Sequence, residues 1–160
     1  MKATLHAVYL LIAVMLGPTL FAFLEILGAK PNLFLIYIVM AGFYAEKNEA
    51  VWLGLIFGFI LDILVGVCVG LNGILYMFAC FLTVVFCENM IRRTNAIVVF
   101  FGVLIWTVIL EGINGFFCGN GEFLYSLGII GIEALYNGVL LLIIYSPLRR
   151  LFERLYDEKR

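Results

Sequence analysis

The chain has 160 residues, of which 65% are hydrophobic and 13% are charged, and its formal net charge is −1. Its mean hydropathy is +1.14, whereas a soluble domain is about half apolar and about a quarter charged. A soluble globular fold is excluded, because the chain has too few polar side chains to cover its own core. The composition predicts an all-α, polytopic integral membrane protein. Outside the C-terminal tail the sequence has no basic patch of the nucleic-acid-binding type.

Six apolar segments predict about six transmembrane helices. The predicted spans are residues 6–24, 31–45, 50–67, 71–87, 96–117 and 126–145, within a bundle domain over residues 1–146. The first segment is long enough to cross a hydrocarbon core of about 30 Å. It is interpreted as a retained span rather than a cleaved signal peptide. The second has only 15 residues, so it either thins the bilayer or lies partly inside the bundle.

The Lys and Arg residues of the loops predict the orientation. With both termini in the cytoplasm, the inner side holds nine Lys and Arg residues and the outer side holds only Lys30. Positive charge favours the cytoplasmic side, so we expect both ends inside and an even number of spans. Four spans remain an alternative if the second and third segments form a re-entrant pair.

Residues 147–160 form a separate predicted element after Ser146-Pro147. Apolar residues recur there at helical spacing, at Leu148, Leu151, Phe152, Leu155 and Tyr156. This spacing predicts a cytoplasmic amphipathic helix that lies on the inner leaflet. Two roles stay open for it: an interfacial anchor, or a docking helix for a cytoplasmic partner.

The third segment has the most regular pattern, with small or acidic residues at every fourth position. These residues are Gly54, Gly58, Asp62, Gly66 and Gly70. Residues four apart share a helix face and glycines let helices approach closely, so the pattern predicts a packing groove with one carboxylate in it. Asp62 is interpreted either as a hydrogen-bonding hub or helix cap, or as a ligand or coupling-ion site. Asn72 and Asn114 are its expected neighbours.

Two further acids, Glu111 and Glu133, lie in the fifth and sixth segments. All three intramembrane acids fall in the predicted outer half of the membrane, and no Lys or Arg shares their depth. An unpaired anion there costs several kcal/mol. We therefore expect these carboxyl groups to be hydrogen-bonded, protonated or in contact with water.

Enzyme and metal motifs are missing from the sequence. It has one histidine, His6, interpreted as an interfacial residue, and no H-E-x-x-H, G-x-S-x-G or C-x-x-C motif. We expect a non-enzymatic protein with no metal and no cofactor. The cysteines are interpreted as buried free thiols, with a disulfide between Cys68 and Cys118 as the alternative.

Residues 31–78 resemble a known family of bacterial membrane proteins. Pro31-Asn32-Leu33-Phe34-Leu35 looks like the start of the second span in the MreD family of rod shape-determining proteins. The run from Gly54 to Asp62, followed by Gly70-Leu71-Asn72-Gly73, looks like that family's glycine-and-aspartate signature. The order and spacing of these motifs carry the resemblance.

The resemblance implies a non-enzymatic subunit of the cell elongation machinery in the bacterial cell membrane. Such proteins bind the single-span protein MreC and, through it, associate with the actin-like MreB and with peptidoglycan synthases. The Gly54/Gly58 face or lipid-facing aromatic residues are the expected contacts with MreC. The resemblance also implies a fold similar to the substrate-binding membrane subunit of energy-coupling-factor transporters, so a vitamin-type transporter subunit is the alternative function.

Overall fold

The computed structural model describes residues 2–19, 25, 28–65, 69–90, 95–118 and 123–156. Within these ranges the chain forms six helices: α1 (Lys2–Thr19), α2 (Leu33–Tyr44), α3 (Lys47–Val65), α4 (Leu71–Met90), α5 (Ala96–Cys118) and α6 (Phe123–Tyr156). The predicted all-α class is confirmed. Each helix overlaps one predicted segment, although α1 begins four residues earlier than predicted and α3 and α6 each begin three residues earlier.

In the described part of the chain, three helices are long and apolar enough to cross a membrane. They cover Leu71–Asn89, Ala96–Phe117 and Leu127–Tyr156. Within α1 and α2, the residues whose side chains are described include the shorter apolar stretches Thr4–Met15 and Leu33–Tyr44. α3 has 19 residues, but Lys47, Glu49 and Asp62 lower its apolar character. The helices are those of a membrane protein, while the number of crossings and the side on which the ends lie stay predictions.

α2 is the central helix of the bundle. Every residue from Leu33 to Phe43 is buried, and the helix packs against all five others. The short second segment therefore lies inside the bundle, which is one of its two predicted placements. α2 begins at Leu33 because Asn32 caps it: the Asn32 side chain accepts a hydrogen bond from the Leu35 N–H at 3.0 Å.

Aromatic rings from three helices pack around Tyr37 of α2. The ring centroids of Tyr9, Phe57 and Phe152 lie 3.9, 5.0 and 5.1 Å from that of Tyr37. These contacts bring α1, α3 and the C-terminal part of α6 onto the central helix. Packing of this kind favours one fixed arrangement, because offset and edge contacts between rings are geometrically selective.

α6 differs from the prediction, because it continues through Pro147 to Tyr156 as one helix. The predicted end at Tyr145 and the separate tail helix are thereby corrected. A proline removes one backbone donor from a helix, but packing holds the turns that follow it. Leu148, Phe152 and Leu155 are only 5%, 0% and 4% exposed, so this apolar face packs on the chain's own helices and not on the leaflet.

Candidate functional site

Polar side chains from α2 to α6 meet at one end of the bundle, which we call the polar cluster. Its members lie at the start of α2 and α4, in the first half of α6, toward the end of α3, and from the middle of α5 toward its end, as antiparallel helices require. They are Asn32, Asp62, Asn72, Tyr76, Thr107, Glu111, Asn114, Glu133 and Asn137. The cluster contains the three predicted intramembrane acids together with Asn32, Asn72 and Asn114, but Pro31 and the predicted glycines are not among its members.

Asp62 is 2% exposed, and its carboxylate accepts four hydrogen bonds from the start of α4. The backbone N–H groups of Gly70 and Gly73 donate to Oδ2 at 2.9 and 3.1 Å. The backbone and side-chain N–H groups of Asn72 donate to Oδ1 at 3.3 and 2.8 Å. The first N–H groups of a helix have no partner within it, so Asp62 caps α4 from α3. The positive end of the helix dipole also favours the carboxylate.

Gly70 makes this cap sterically accessible. Its φ is +94°, a backbone conformation that side chains disfavour and glycine adopts readily. The chain thereby turns directly into α4, with the backbone N–H groups of Gly70, Asn72 and Gly73 facing Asp62. This geometry corresponds to the hub-and-cap interpretation of the residue.

Asn72 extends the hydrogen bonding to α5. Its side-chain amide donates to Asp62, and its Oδ1 accepts from Nδ2 of Asn114 at 2.9 Å. The two neighbours expected for Asp62 are thus brought together with it, one directly and one through the other. The chain Asp62–Asn72–Asn114 links α3, α4 and α5.

Asn32 is the second junction of the polar cluster. Its Nδ2 donates to the Tyr76 hydroxyl at 2.8 Å, and its backbone N–H donates to Oδ1 of Asn137 at 2.7 Å. Asn137 in turn donates through Nδ2 to the Thr107 hydroxyl at 3.3 Å. With its cap on α2, Asn32 therefore connects α2 with α4 and, through Asn137, with α6 and α5.

The two glutamates lie beside this junction. Oε1 of Glu133 accepts from the backbone N–H of Lys30 at 3.2 Å, and Glu111 interacts with the side chain of Asn32. The ammonium group of Lys30 pairs instead with Glu25, at 3.0 Å. In the described part of the chain, every buried side-chain nitrogen and oxygen has a hydrogen-bond partner. The polar cluster thus ties helices together without a buried polar group that requires a ligand.

Gly54 and Gly58 lie where α3 crosses α4. A Cβ atom on Gly54 would lie 2.5 Å from the carbonyl oxygen of Tyr76, and one on Gly58 would overlap the carbonyl of Asn72. The α4 backbone therefore fills the predicted groove, and this face packs inside the chain. The expectation that the Gly54/Gly58 face contacts MreC is corrected accordingly. Gly66 lies outside the described residues.

A second set of contacts, at the opposite end of the bundle, has no counterpart in the predictions. His6 is 7% exposed; its Nδ1 lies 2.5 Å from the Tyr37 hydroxyl and its Nε2 lies 3.2 Å from the Tyr156 hydroxyl. His6 is thus buried between helices and not interfacial. The apolar periodicity of the tail includes Tyr156, but no local pattern indicates that it meets His6.

Metal ligands do not gather anywhere in the described residues: no group of three or more His, Cys, Asp or Glu side chains is placed to hold an ion. Cys80 is a buried free thiol and Cys87 a partly buried one. Cys68 and the side chain of Cys118 lie outside the described part of the chain, so the disulfide between them stays a prediction.

A family model for the rod shape-determining protein MreD matches residues 2–155. The match extends far beyond residues 31–78, where the motifs lie, and it confirms the resemblance. No curated protein matches the chain, and no solved structure matches it. The predicted likeness to the energy-coupling-factor subunit is therefore without support.

Proposed function

Because the chain belongs to the MreD family of rod shape-determining proteins, we propose that it is a non-enzymatic membrane subunit of the bacterial cell elongation complex. The family match over residues 2–155 is the observation that carries this proposal. In the proposed role the protein binds MreC in the cell membrane. Through MreC it acts with MreB and the peptidoglycan synthases to control cell shape and lateral wall synthesis.

The polar interior supports a scaffold rather than a ligand-binding protein. Every buried side-chain nitrogen and oxygen of the described residues has a hydrogen-bond partner, and the aromatic rings around Tyr37 pack on other rings. A substrate-binding transporter subunit needs a pocket that its ligand can enter. The side chains that would line such a pocket are here engaged in holding helices together.

The proposed contact with MreC falls on the outward faces of the helices, since the glycine face is occupied by α4. Large aromatic residues project from these faces: Trp52, Phe78 and Phe101 are 63%, 52% and 56% exposed. A single-span partner would pack its helix against such side chains within the bilayer. These three residues, on α3, α4 and α5, are the proposed candidates for that contact.

The test is deletion of the gene in its own bacterium, combined with purification of tagged MreC. We expect deletion to turn rod-shaped cells round, and we expect this chain to co-purify with MreC from solubilised membranes. Cells that keep their rod shape and MreC that purifies without the chain would contradict the proposal. A tightly retained small molecule would favour the transporter alternative.

Single leucine substitutions locate the contact without disturbing the interior. One of Trp52→Leu, Phe78→Leu and Phe101→Leu is expected to lower co-purification with MreC about tenfold, as a hot-spot residue does. Phe116→Leu is the control, because Phe116 is 73% exposed near the end of α5. If all four variants co-purify like the wild type, MreC binds elsewhere.

A further inference from the structure

α1 is seated on the bundle by its inward face, where Ala13 is fully buried. Its outward face is exposed, with Val8, Leu11 and Met15 at 49%, 60% and 64%. On its inward face the Tyr9 hydroxyl donates to the Leu33 carbonyl at 3.3 Å, and the Tyr9 ring stacks on Tyr37. His6, also on α1, contacts Tyr37 of α2 and Tyr156 of α6.

The last part of α6, Leu148–Tyr156, packs on Tyr37 of the central helix, which α1 also contacts. We call this segment the strap. Its apolar face is buried, with the Phe152 ring 5.1 and 5.9 Å from those of Tyr37 and Tyr44. Its polar face carries Arg149, Arg150 and Arg154 at the surface. The strap begins directly after Pro147, which lacks the N–H that would continue the helix ladder. The helix therefore lacks one backbone hydrogen bond where the strap joins it.

His6 connects α1 to the strap and to the central helix at once. Nε2 faces the Tyr156 hydroxyl at 3.2 Å and Nδ1 faces that of Tyr37. A neutral imidazole offers one donor and one acceptor, and a phenol hydroxyl can serve as either, so both contacts are satisfied together. Tyr156 also bonds to Glu49 of α3. His6 and Tyr156 are 150 positions apart, and their contact connects α1 with the end of α6.

We propose that Leu148–Tyr156 is a strap that latches α1 onto the bundle through the contact between Tyr156 and His6. Opening of this contact is expected to loosen α1 and the end of the strap together. This coupling is reciprocal: packing of α1 on the bundle stabilises the packed strap by the same free energy as the packed strap stabilises α1. This device lies beyond the proposed role in the elongation complex and does not depend on MreC.

Hydrogen–deuterium exchange of the full chain in lipid nanodiscs, read by mass spectrometry, tests the latch. Tyr156→Phe removes one hydroxyl, and we expect α1 amides to exchange about three to ten times faster, while α4 amides are unchanged. His6→Gln is expected to act in the same direction. The double variant should exchange more slowly than the two single effects multiplied together would give, because both changes open the contact between His6 and Tyr156.

Tyr145→Phe is the matched control. Its hydroxyl lies 3.5 Å from that of Tyr44, on the same helix as Tyr156 but away from His6, so α1 should exchange at the wild-type rate. Unchanged α1 exchange in both latch variants would overturn the proposal. So would an equal rise in α4, or a rise in Tyr145→Phe, since each indicates general loosening. If Tyr156→Phe does not fold, His6→Gln decides by the same criteria.

Discussion

At Asp62 an asparagine would keep the size of the side chain but replace one acceptor oxygen with an NH2 group. That group would face backbone N–H donors of Gly70 and Gly73 or of Asn72, all within 3.3 Å of the present carboxylate. We expect Asp62→Asn to lower the free energy of unfolding by about 2 kcal/mol, through a lost cap and an unsatisfied donor. Unfolding in mixed micelles measures this loss.

Asn95→Asp is the matched control for that substitution. Asn95 caps α5 with its Oδ1, which accepts from the Val98 N–H at 2.9 Å, and an aspartate caps a helix equally well. The free energy of unfolding of the Asn95→Asp variant should equal that of the wild type or exceed it slightly. An Asp62→Asn protein that unfolds like the wild type would contradict the capping role and favour the ligand interpretation.

The sequence predicts the immediate surroundings of Asp62 well, because they are local. Asp62, Gly70 and Asn72 lie within one hairpin, where spacing alone limits what each can reach. His6 is different, since its partner Tyr156 is 150 residues away. Only packing of the whole bundle brings these two together, and no spacing in the sequence encodes it.

At the scale of helices, the contact between α3 and α4 depends on two missing side chains. Gly58→Ala would drive a Cβ atom into the backbone of Asn72 and Gly73, and backbone cannot move aside as a flexible side chain does. We expect a loss of about 2 kcal/mol in the free energy of unfolding, the usual effect of overpacking. Thermal unfolding in detergent should show a correspondingly lower midpoint.

Gly112→Ala separates this packing effect from helix propensity. Gly112 lies inside α5, and a Cβ atom there would meet nothing within 4 Å. Alanine is a better helix former, so this variant should be unchanged or more stable by up to about 1 kcal/mol. If Gly58→Ala and Gly112→Ala behave alike, the glycines do not set the distance between α3 and α4.

The periodicity of apolar residues locates the helices but not all of their ends. α2 is predicted from residue 31 and begins at Leu33, because the Asn32 cap excludes two residues. The α6 boundary is the larger difference: Pro147 normally indicates a break, yet buried Leu148, Phe152 and Leu155 hold the helix beyond it. Such tertiary support is invisible in a single segment.

For the whole molecule, the distribution of Lys and Arg and the side-chain contacts both place the start of α1 and the end of α6 at the same end of the bundle. His6 and Tyr156 touch, so the N-terminal part of α1 and the end of α6 lie at the same end of the bundle. The contact does not identify the side of the membrane, because a bundle has the same internal contacts in either orientation. The side is predicted by the nine-to-one distribution of Lys and Arg.

Fusions to reporters that work on only one side of the membrane test this orientation. A fluorescent protein that folds in the cytoplasm should be bright at either terminus, and alkaline phosphatase should be active after Gly121 and inactive after Arg93.

Lys47→Cys, in a chain without its native cysteines, distinguishes six spans from four. Lys47 is exposed at the start of α3, and with six spans an impermeant maleimide should reach the new thiol only from the cytoplasmic side. Labelling from outside, or phosphatase activity at the C-terminus, would contradict six spans with both ends in the cytoplasm.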